Sequence, residues 1–385
     1  MKVAERVYEM LIKGGKILDE NFKFIDGEIL VKEDKIKKIG KDLGDDIVID
    51  AEGGYVVPGF IDTHMHAAVG TSYLEYEEDT VEKIGIYEAS VGTTTLLPTI
   101  SATLAERLTD VINHLKKYYK KEIDNCAAFE GIHLEGPFFS EIFKGAHQSH
   151  NIRKPELSEM ESLIKEGEGM VKIMTIAPEL PGAEEVIKYG VKNGVVMSCG
   201  HTNATFEEAQ RGIEWGVSQC THMYNAMRPL KHREPGTVGA FLYNNDVKSE
   251  LICDFFHIDP AVIKITYNVK GRDKINMITD SGVGAGCPDG EYFYHGKKII
   301  KKNGGQYLED GTIASGTSCL LDGVKNCVSL GIPLEAACQM ASKNPAETVG
   351  IYDRKGSISE GKIADLLILD KELNLKQVIL RGKLL

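Results

Sequence analysis

The sequence predicts an α/β protein, a (β/α)8 barrel carrying a small β-sandwich domain built from both chain termini. Three observations predict it. Between Tyr55 and about Asp353, eight short apolar segments alternate with helical ones, the texture of barrel strands and their crossover helices. Histidines and acids close six of those apolar segments. Short period-two segments with turn glycines lie at the two ends of the chain.

The terminal elements come first. Residues from about 7 to 57 contain stretches such as EILVKEDKIKKIG, which alternate apolar and polar positions. The tail GSISEGKIADLLILDKELNLKQVILRGKLL has the same character: a turn, the strand ADLLILD, then the strand QVILRGK. Two incomplete sheets at opposite ends are expected to pair with each other. Residues 1–57 and 354–385 would form the small domain, and 58–353 the barrel.

The barrel strands are expected in VVPGFIDTH, TTTLLPTI, AAFEGIHLEG, VKIMTIAP, VVMSCGHT, QCTHMYNA, SELICDFFH and KINMITDS. Helices are expected in LAERLTDVINHLKKYYKK, LSEMESLIKEG, GAEEVIKYGVKNG, FEEAQRGIEWG and PAVIKITYNVKG. CPDGEYFYHGKKIIKKNGGQYLEDGTIAS reads as a hairpin-containing loop after the last strand. An open doubly wound sheet is the alternative architecture.

At 385 residues, the chain suits one large barrel with a modest accessory unit. Its 45 Lys+Arg against 57 Asp+Glu give a formal charge of −12, which disfavours nucleic acid and anionic membrane as partners. An anionic ligand would have to be held by local basic groups. Charges are scattered through the first twenty residues where a signal peptide needs an apolar run, and no segment reads as a membrane span. The expected location is the cytoplasm. The eight cysteines include no C-x-x-C pair and read as reduced thiols. Cys199 and Cys220 precede histidines by two residues but read as packing in apolar strands.

The strand ends carry the chemistry. His64 and His66 end the first strand, His133 and Glu135 the third, His201 the fifth, His222 the sixth, His257 the seventh and Asp280 the eighth. In a barrel these ends converge on one mouth. His64 and His66, two residues apart, lie on one side of a strand, so one metal can take both. Such a pair also occurs by chance. Glu135 follows a run that should be buried, and a buried carboxylate needs a cation or strong donors. His201 and His222 supply nitrogen ligands of the kind Zn and Fe favour. His133 reads as support behind the ligands. His114, His150, His232 and His295 read as solvent-facing or loop-supporting.

The segments PGFIDTHMH, HLEGPF, KGAHQSHNIR, GHTNAT, THMYNAM, REPG, TDSGVGAGCPDGEY and GKIADLLILD resemble the amidohydrolase superfamily and, within it, the N-acetylglucosamine-6-phosphate deacetylase family. The resemblance runs from about residue 55 to the end. It implies a principal metal site at Glu135, His201 and His222, a second at His64 and His66, and one or two divalent ions, Zn or Fe, per subunit. It implies Asp280 as general acid/base, and substrate contacts from His257, His147 with its neighbour Ala146, Asn225 with Ala226, and Ile313, Ala314 and Ser315. Arg233 matches the family's phosphate-binding arginine, which reaches the neighbouring subunit's site and so implies a homodimer. In the implied reaction Asp280 moves the proton and His257 donates to the oxyanion of an N-acetyl sugar phosphate. The loop AAVGTSYLEYEED after His66 and the order IASGTS depart from the family pattern and bear on sugar preference. N-acetylgalactosamine 6-phosphate is the alternative substrate. A dihydroorotase, an N-acylamino-acid deacylase and a non-catalytic scaffold are more distant readings.

Overall fold

The protein is described by a computed structural model over residues 9–44, 47–75 and 77–385. Its apolar segments form eight strands: β1 (Phe60–Met65), β2 (Thr93–Ser101), β3 (Ile132–Glu135), β4 (Val171–Ile176), β5 (Val196–Cys199), β6 (Val217–Cys220), β7 (Lys248–Ile252) and β8 (Ile275–Ile278). Consecutive strands pair in parallel from β1 to β8. A helix follows each: α1 (Thr80–Ser90), α2 (Ala105–Leu115), α3 (Leu157–Gly167), α4 (Ala183–Lys192), α5 (Phe206–Trp215), α6 (Gly236–Tyr243), α7 (Pro260–Lys270) and α8 (Leu320–Ser329). No helix among the described residues is long and apolar enough to cross a membrane.

Local chemistry places the helix ends. At the start of α5, Thr205 and Glu208 each accept a hydrogen bond from the other's main-chain N–H, a reciprocal cap that satisfies two orphan donors. Asp259 caps α7 through Ala261 N, with Pro260 in the first turn. The ends of β8 and β1 are joined at the mouth, where Asp280 N donates to His64 O and His66 N to Ser281 O, both at 2.9 Å. That closure sets Asp280 directly beside the H-x-H pair.

The segment VVPGFIDTH is two strands. Tyr55–Pro58 joins a sheet of the terminal domain, and Phe60–Met65 enters the barrel. The break falls at Gly59, where a Cβ would lie 2.2 Å from Thr94 Oγ1; only glycine allows that approach. The sheet containing Tyr55–Pro58 runs in the order 383–384, 375–380, 366–369, 55–58, 16–18, 24–26, so both chain ends contribute to it. A second sheet, in the order 35–40, 28–32, 9–13, 47–50, faces it. Ile12, Ile29, Val31 and Ile36 of one sheet and Ile17, Val56, Leu366 and Ile379 of the other share one buried core. Arg354 joins the tail to the barrel through a two-point contact with Glu130 at 2.5 and 2.6 Å.

The expected hairpin loop after β8 is a four-stranded antiparallel sheet, 290–294, 297–302, 305–307 and 313–315. The turns Gly296 (φ 73°) and Gly304 (φ 78°) reverse the chain between its first three strands.

Two buried acids stand at β1, one within the strand and one on α1. Asp62 Oδ2 accepts from Thr279 Oγ1 at 2.5 Å and Oδ1 from His64 N at 3.0 Å, tying β1 to the end of β8. Glu88 of α1 is 2% exposed and its Oε2 has no hydrogen-bond partner among the described residues. Burial, then the nearby Asp62 charge, pushes its carboxyl up to about 8. The folded state therefore holds this proton where an unfolded chain has lost it, so its contribution to stability is fully present below the ordinary value of 4.5 and disappears as pH rises through about 8. Glu88→Gln should flatten the decline of Tm between about pH 5 and about pH 8. Parallel Tm curves for the two proteins would refute this.

Candidate active site

The buried run Ile132–Glu135 places Glu135, 2% exposed, at the centre of the barrel mouth. Ring nitrogens surround its carboxylate. Oε1 lies 3.0 Å from His222 Nε2, 3.1 Å from His201 Nε2 and 3.4 Å from His64 Nε2. Oε2 lies 3.2 Å from His147 Nε2 and 3.3 Å from His66 Nε2. Asp280 Oδ1 stands 3.3 Å from His66 Nε2 and 3.6 Å from His64 Nε2.

The outer nitrogens determine what the inner ones present. Carbonyl and carboxylate oxygens only accept, so the Nδ1–H donates from His201 to Phe143 O at 3.0 Å, from His64 to Glu250 Oε2 at 3.0 Å and from His66 to Thr99 O at 3.1 Å. A neutral ring held this way turns a bare Nε2 inward. Yet His201 and His222 bring their Nε2 atoms to 3.0 Å, and His64 and His66 to 3.3 Å. Lone pairs at that distance, facing carboxylates, suit a shared cation. Two such groups stand side by side, His64–His66–Asp280 and Glu135–His147–His201, with His222 completing the second. The donor set is nitrogen and carboxylate oxygen, which fits Zn or Fe.

Electrostatics agree with the geometry. Burial alone would raise Glu135, but the His147 ring beside Oε2 holds it well below the ordinary carboxylate range. Burial opposes a charged His64, yet Asp280 and Glu250 raise it to about 10, so without a cation at Nε2 a proton takes that place. His201 is lowered by burial to about 4 and so stays neutral, as a ligand must. The cluster as a whole attracts positive charge.

Backbone strain sits at these positions. His201 (φ 47°), His222 (φ 28°) and Asp280 (φ 49°) are left-handed immediately beyond β5, β6 and β8. Such conformations cost on the order of 1–3 kcal/mol each. They turn the chain at the mouth, so that His201 and His222 point to Glu135 and Asp280 to the H-x-H pair.

Above the cluster opens a cavity of about 450 Å³. Its lining includes Glu135, His66, His201, His222, Asp280, His257, Ala146, His147, Asn225, Ala226, Ile313, Ala314 and Ser315, so these expected residues meet in one place. His64 is fully buried beneath, in contact with Glu135. His257 is held by Asp254, Nδ1 to Oδ2 at 2.7 Å. Arg233 is exposed and does not line the cavity of its own chain. His133 stands behind the cluster, its ring nitrogens on Thr63 O and Thr175 Oγ1. Cys199 and Cys220 are buried, and burial pushes the Cys220 thiol up to about 12.

Several residues of the site carry no local signal in the sequence. His295, expected to face solvent or support a loop, lines the cavity, and its Nε2 accepts from Asn151 Nδ2 at 3.2 Å. Tyr294 and Lys297 flank it; Tyr294 OH meets Ser101 Oγ at 2.8 Å, and Lys297 Nζ donates to Ala146 O at 2.6 Å. They come from the inserted sheet, whose position no local pattern reveals. Asp254, three residues before His257, and Glu250, an acid inside the apolar run SELIC, did carry a visible signal.

A (β/α)8 barrel whose mouth converges imidazoles and carboxylates in this way defines a metal-dependent hydrolase, and residues 55–385 match the amidohydrolase family. An N-acetylglucosamine-6-phosphate deacetylase of Lysinibacillus sphaericus is 31% identical over 360 residues, covering 93% of this chain and 92% of that one. An N-acetylgalactosamine-6-phosphate deacetylase of Escherichia coli O157:H7 is 31% identical over 344 residues, covering 88% and 89%. The crystal structure of N-acetylglucosamine-6-phosphate deacetylase from Thermotoga maritima superposes with a TM-score of 0.87 at 34% identity, over 97% of this chain and 99% of that one. The chain belongs to the amidohydrolase family and, within it, to the N-acetylglucosamine-6-phosphate deacetylases.

Chelator-stripped protein should gain stability when a divalent ion is restored, by about 2.7 kcal/mol at about 100 times Kd. His201→Ala should lose most of that gain. Equal stabilisation of both proteins would remove His201 from the ligands.

Proposed function

We propose that the protein hydrolyses N-acetylglucosamine 6-phosphate to glucosamine 6-phosphate and acetate. The observation that carries this reading is the convergence of Glu135, His201 and His222 under a cavity whose wall includes Asp280 and His257. We assign the principal metal to those three ligands and a second to His64 and His66, with Zn or Fe the ions the donor set favours. When bound, the metal polarises the acetyl carbonyl and makes hydroxide available near neutral pH.

The chain's own groups do the rest. Asp280, held against His66 and His64, takes the proton of the attacking water and returns it to the sugar nitrogen as the C–N bond breaks. His257 donates from Nε2 to the developing oxyanion, which requires the doubly protonated ring; the Asp254 carboxylate balances that charge. Such a donor is worth about 3–4 kcal/mol in other hydrolases. Asn225, Ala226, Ala146, His147 and the Ile313–Ser315 strand line the space for the sugar.

The phosphate needs a cation that a chain of net charge −12 supplies only locally. Arg233 offers a planar fork for it. Because Arg233 lies outside its own cavity, we infer a homodimer in which it enters the neighbouring site. A phosphorylated sugar is retained inside cells, which supports action in the cytoplasm. The Escherichia coli relative favours one second reading, the galactosamine epimer as substrate. Comparing kcat/KM for the two 6-phosphates decides between them.

Asp280→Asn should abolish turnover with metal content unchanged; activity within about tenfold of wild type would exclude the proton-transfer role. Arg233→Ala should raise KM for the phosphorylated sugar strongly, with a smaller change in kcat. Mixing Arg233→Ala with the inactive Asp280→Asn protein under subunit exchange should restore low-KM activity. An unchanged KM in Arg233→Ala would take Arg233 out of the phosphate site.

A further inference from the structure

Glu250 lies within β7, 0% exposed, and does not line the cavity. Nothing in the proposed reaction uses it. A carboxylate buried this deeply in a barrel is costly unless its oxygens are occupied by donors. They are. Oε2 accepts from His64 Nδ1 at 3.0 Å and from His222 N at 3.3 Å, and Oε1 accepts from Gln219 Nε2 at 3.0 Å. Gln219 Oε1 in turn accepts from Asn276 Nδ2 at 3.1 Å, whose same nitrogen reaches Thr348 Oγ1 at 3.0 Å. The chain of bonds thus runs from β1 through β7, β6 and β8 to the helix Lys343–Thr348.

An imidazole has two tautomers, and only one leaves Nε2 free to ligate. The other would place an Nε2–H against Glu135 and Asp280, the acceptors 3.4 and 3.6 Å away, and block the site. An acceptor anion at Nδ1 selects the ligating form and raises the ring's basicity. His133, Glu250 and His64 also lie close enough to one another to suggest a cation site of their own. That arrangement is already satisfied by protons, because both His133 nitrogens are engaged by Thr63 O and Thr175 Oγ1.

We propose that Glu250 is a positioning residue: it holds His64 as the Nδ1–H tautomer with Nε2 aimed at the Glu135–Asp280 side, and anchors the His222 main chain to the same carboxylate. One group thereby keeps the two halves of the centre in register. The inference rests on the metal centre assigned above, with His64 as a ligand.

The isosteric Glu250→Gln tests it. Gln219, His64 and the His222 main chain all donate to residue 250; an amide offers a single oxygen and no charge, so the anionic acceptor that selects the Nδ1–H form of His64 and raises its basicity is lost. Titrating Zn²⁺ into chelator-stripped protein, the second, weaker ion should bind about 10–100-fold less tightly in Glu250→Gln. In a His64→Asn background the same substitution should change nothing further. An unchanged second affinity in Glu250→Gln, or equal losses in both backgrounds, overturns the proposal. Should Glu250→Gln fail to fold, ¹⁵N-histidine spectra of the metal-loaded wild-type chain read the tautomer directly. An Nδ1–H signal for His64 supports the proposal and an Nε2–H signal overturns it. Both readouts are taken without substrate, so a failed substrate assignment appears only in the deacetylation assay.

Discussion

Glu135 is the group on which the barrel mouth depends. A carboxylate 2% exposed, with five imidazole nitrogens within 3.4 Å, is stable only when positive charge sits among them. Every other feature of the site serves that requirement. β1, β5 and β6 deliver rings to it, and the left-handed turns at His201 and His222 spend conformational energy to aim them inward.

Around the inner nitrogens lies a second layer that determines their direction. Phe143 O, Thr99 O and Glu250 each hold an outer nitrogen, and they come from a loop, from β2 and from β7. The orientation of these rings is therefore a property of the closed barrel. The main-chain bonds between Asp280 and His64, and between His66 and Ser281, complete it at the seam where β8 meets β1. The proton transfer proposed for Asp280 draws on the same closure, because the bonds that shut the barrel also set its carboxylate against the H-x-H rings.

The cavity wall is built differently. The antiparallel sheet 290–315 leans on the 141–151 segment through Gln148 Nε2 to His295 O at 3.1 Å, Asn151 to His295, and Lys297 to Ala146 O. These contacts place Tyr294, Lys297 and Ile313 over the cluster of imidazoles and carboxylates. Parallel strands supply the chemistry, which needs rigidity, whereas the inserted sheet and loop shape the space above it, where specificity for a sugar is decided.

The sequence by itself determined the alternation of strands and helices, the pairing of the chain ends, and the residues of the mouth, because hydrophobic period and strand-end chemistry are local signals. It did so at the level of segments: VVPGFIDTH reads as one strand, although Gly59 divides it between two domains. Glu135, His201, His222, His64, His66 and Asp280 were legible as a group because each interrupts or follows an apolar run. Only the tertiary structure decided which nitrogen of each ring turns inward, that His295, Tyr294 and Lys297 line the cavity, and that Glu250 underlies His64. Those facts depend on contacts between residues far apart in the chain, such as His64 with Glu250 at a separation of 186. A local pattern carries no record of such a contact, since it exists only once the barrel has closed.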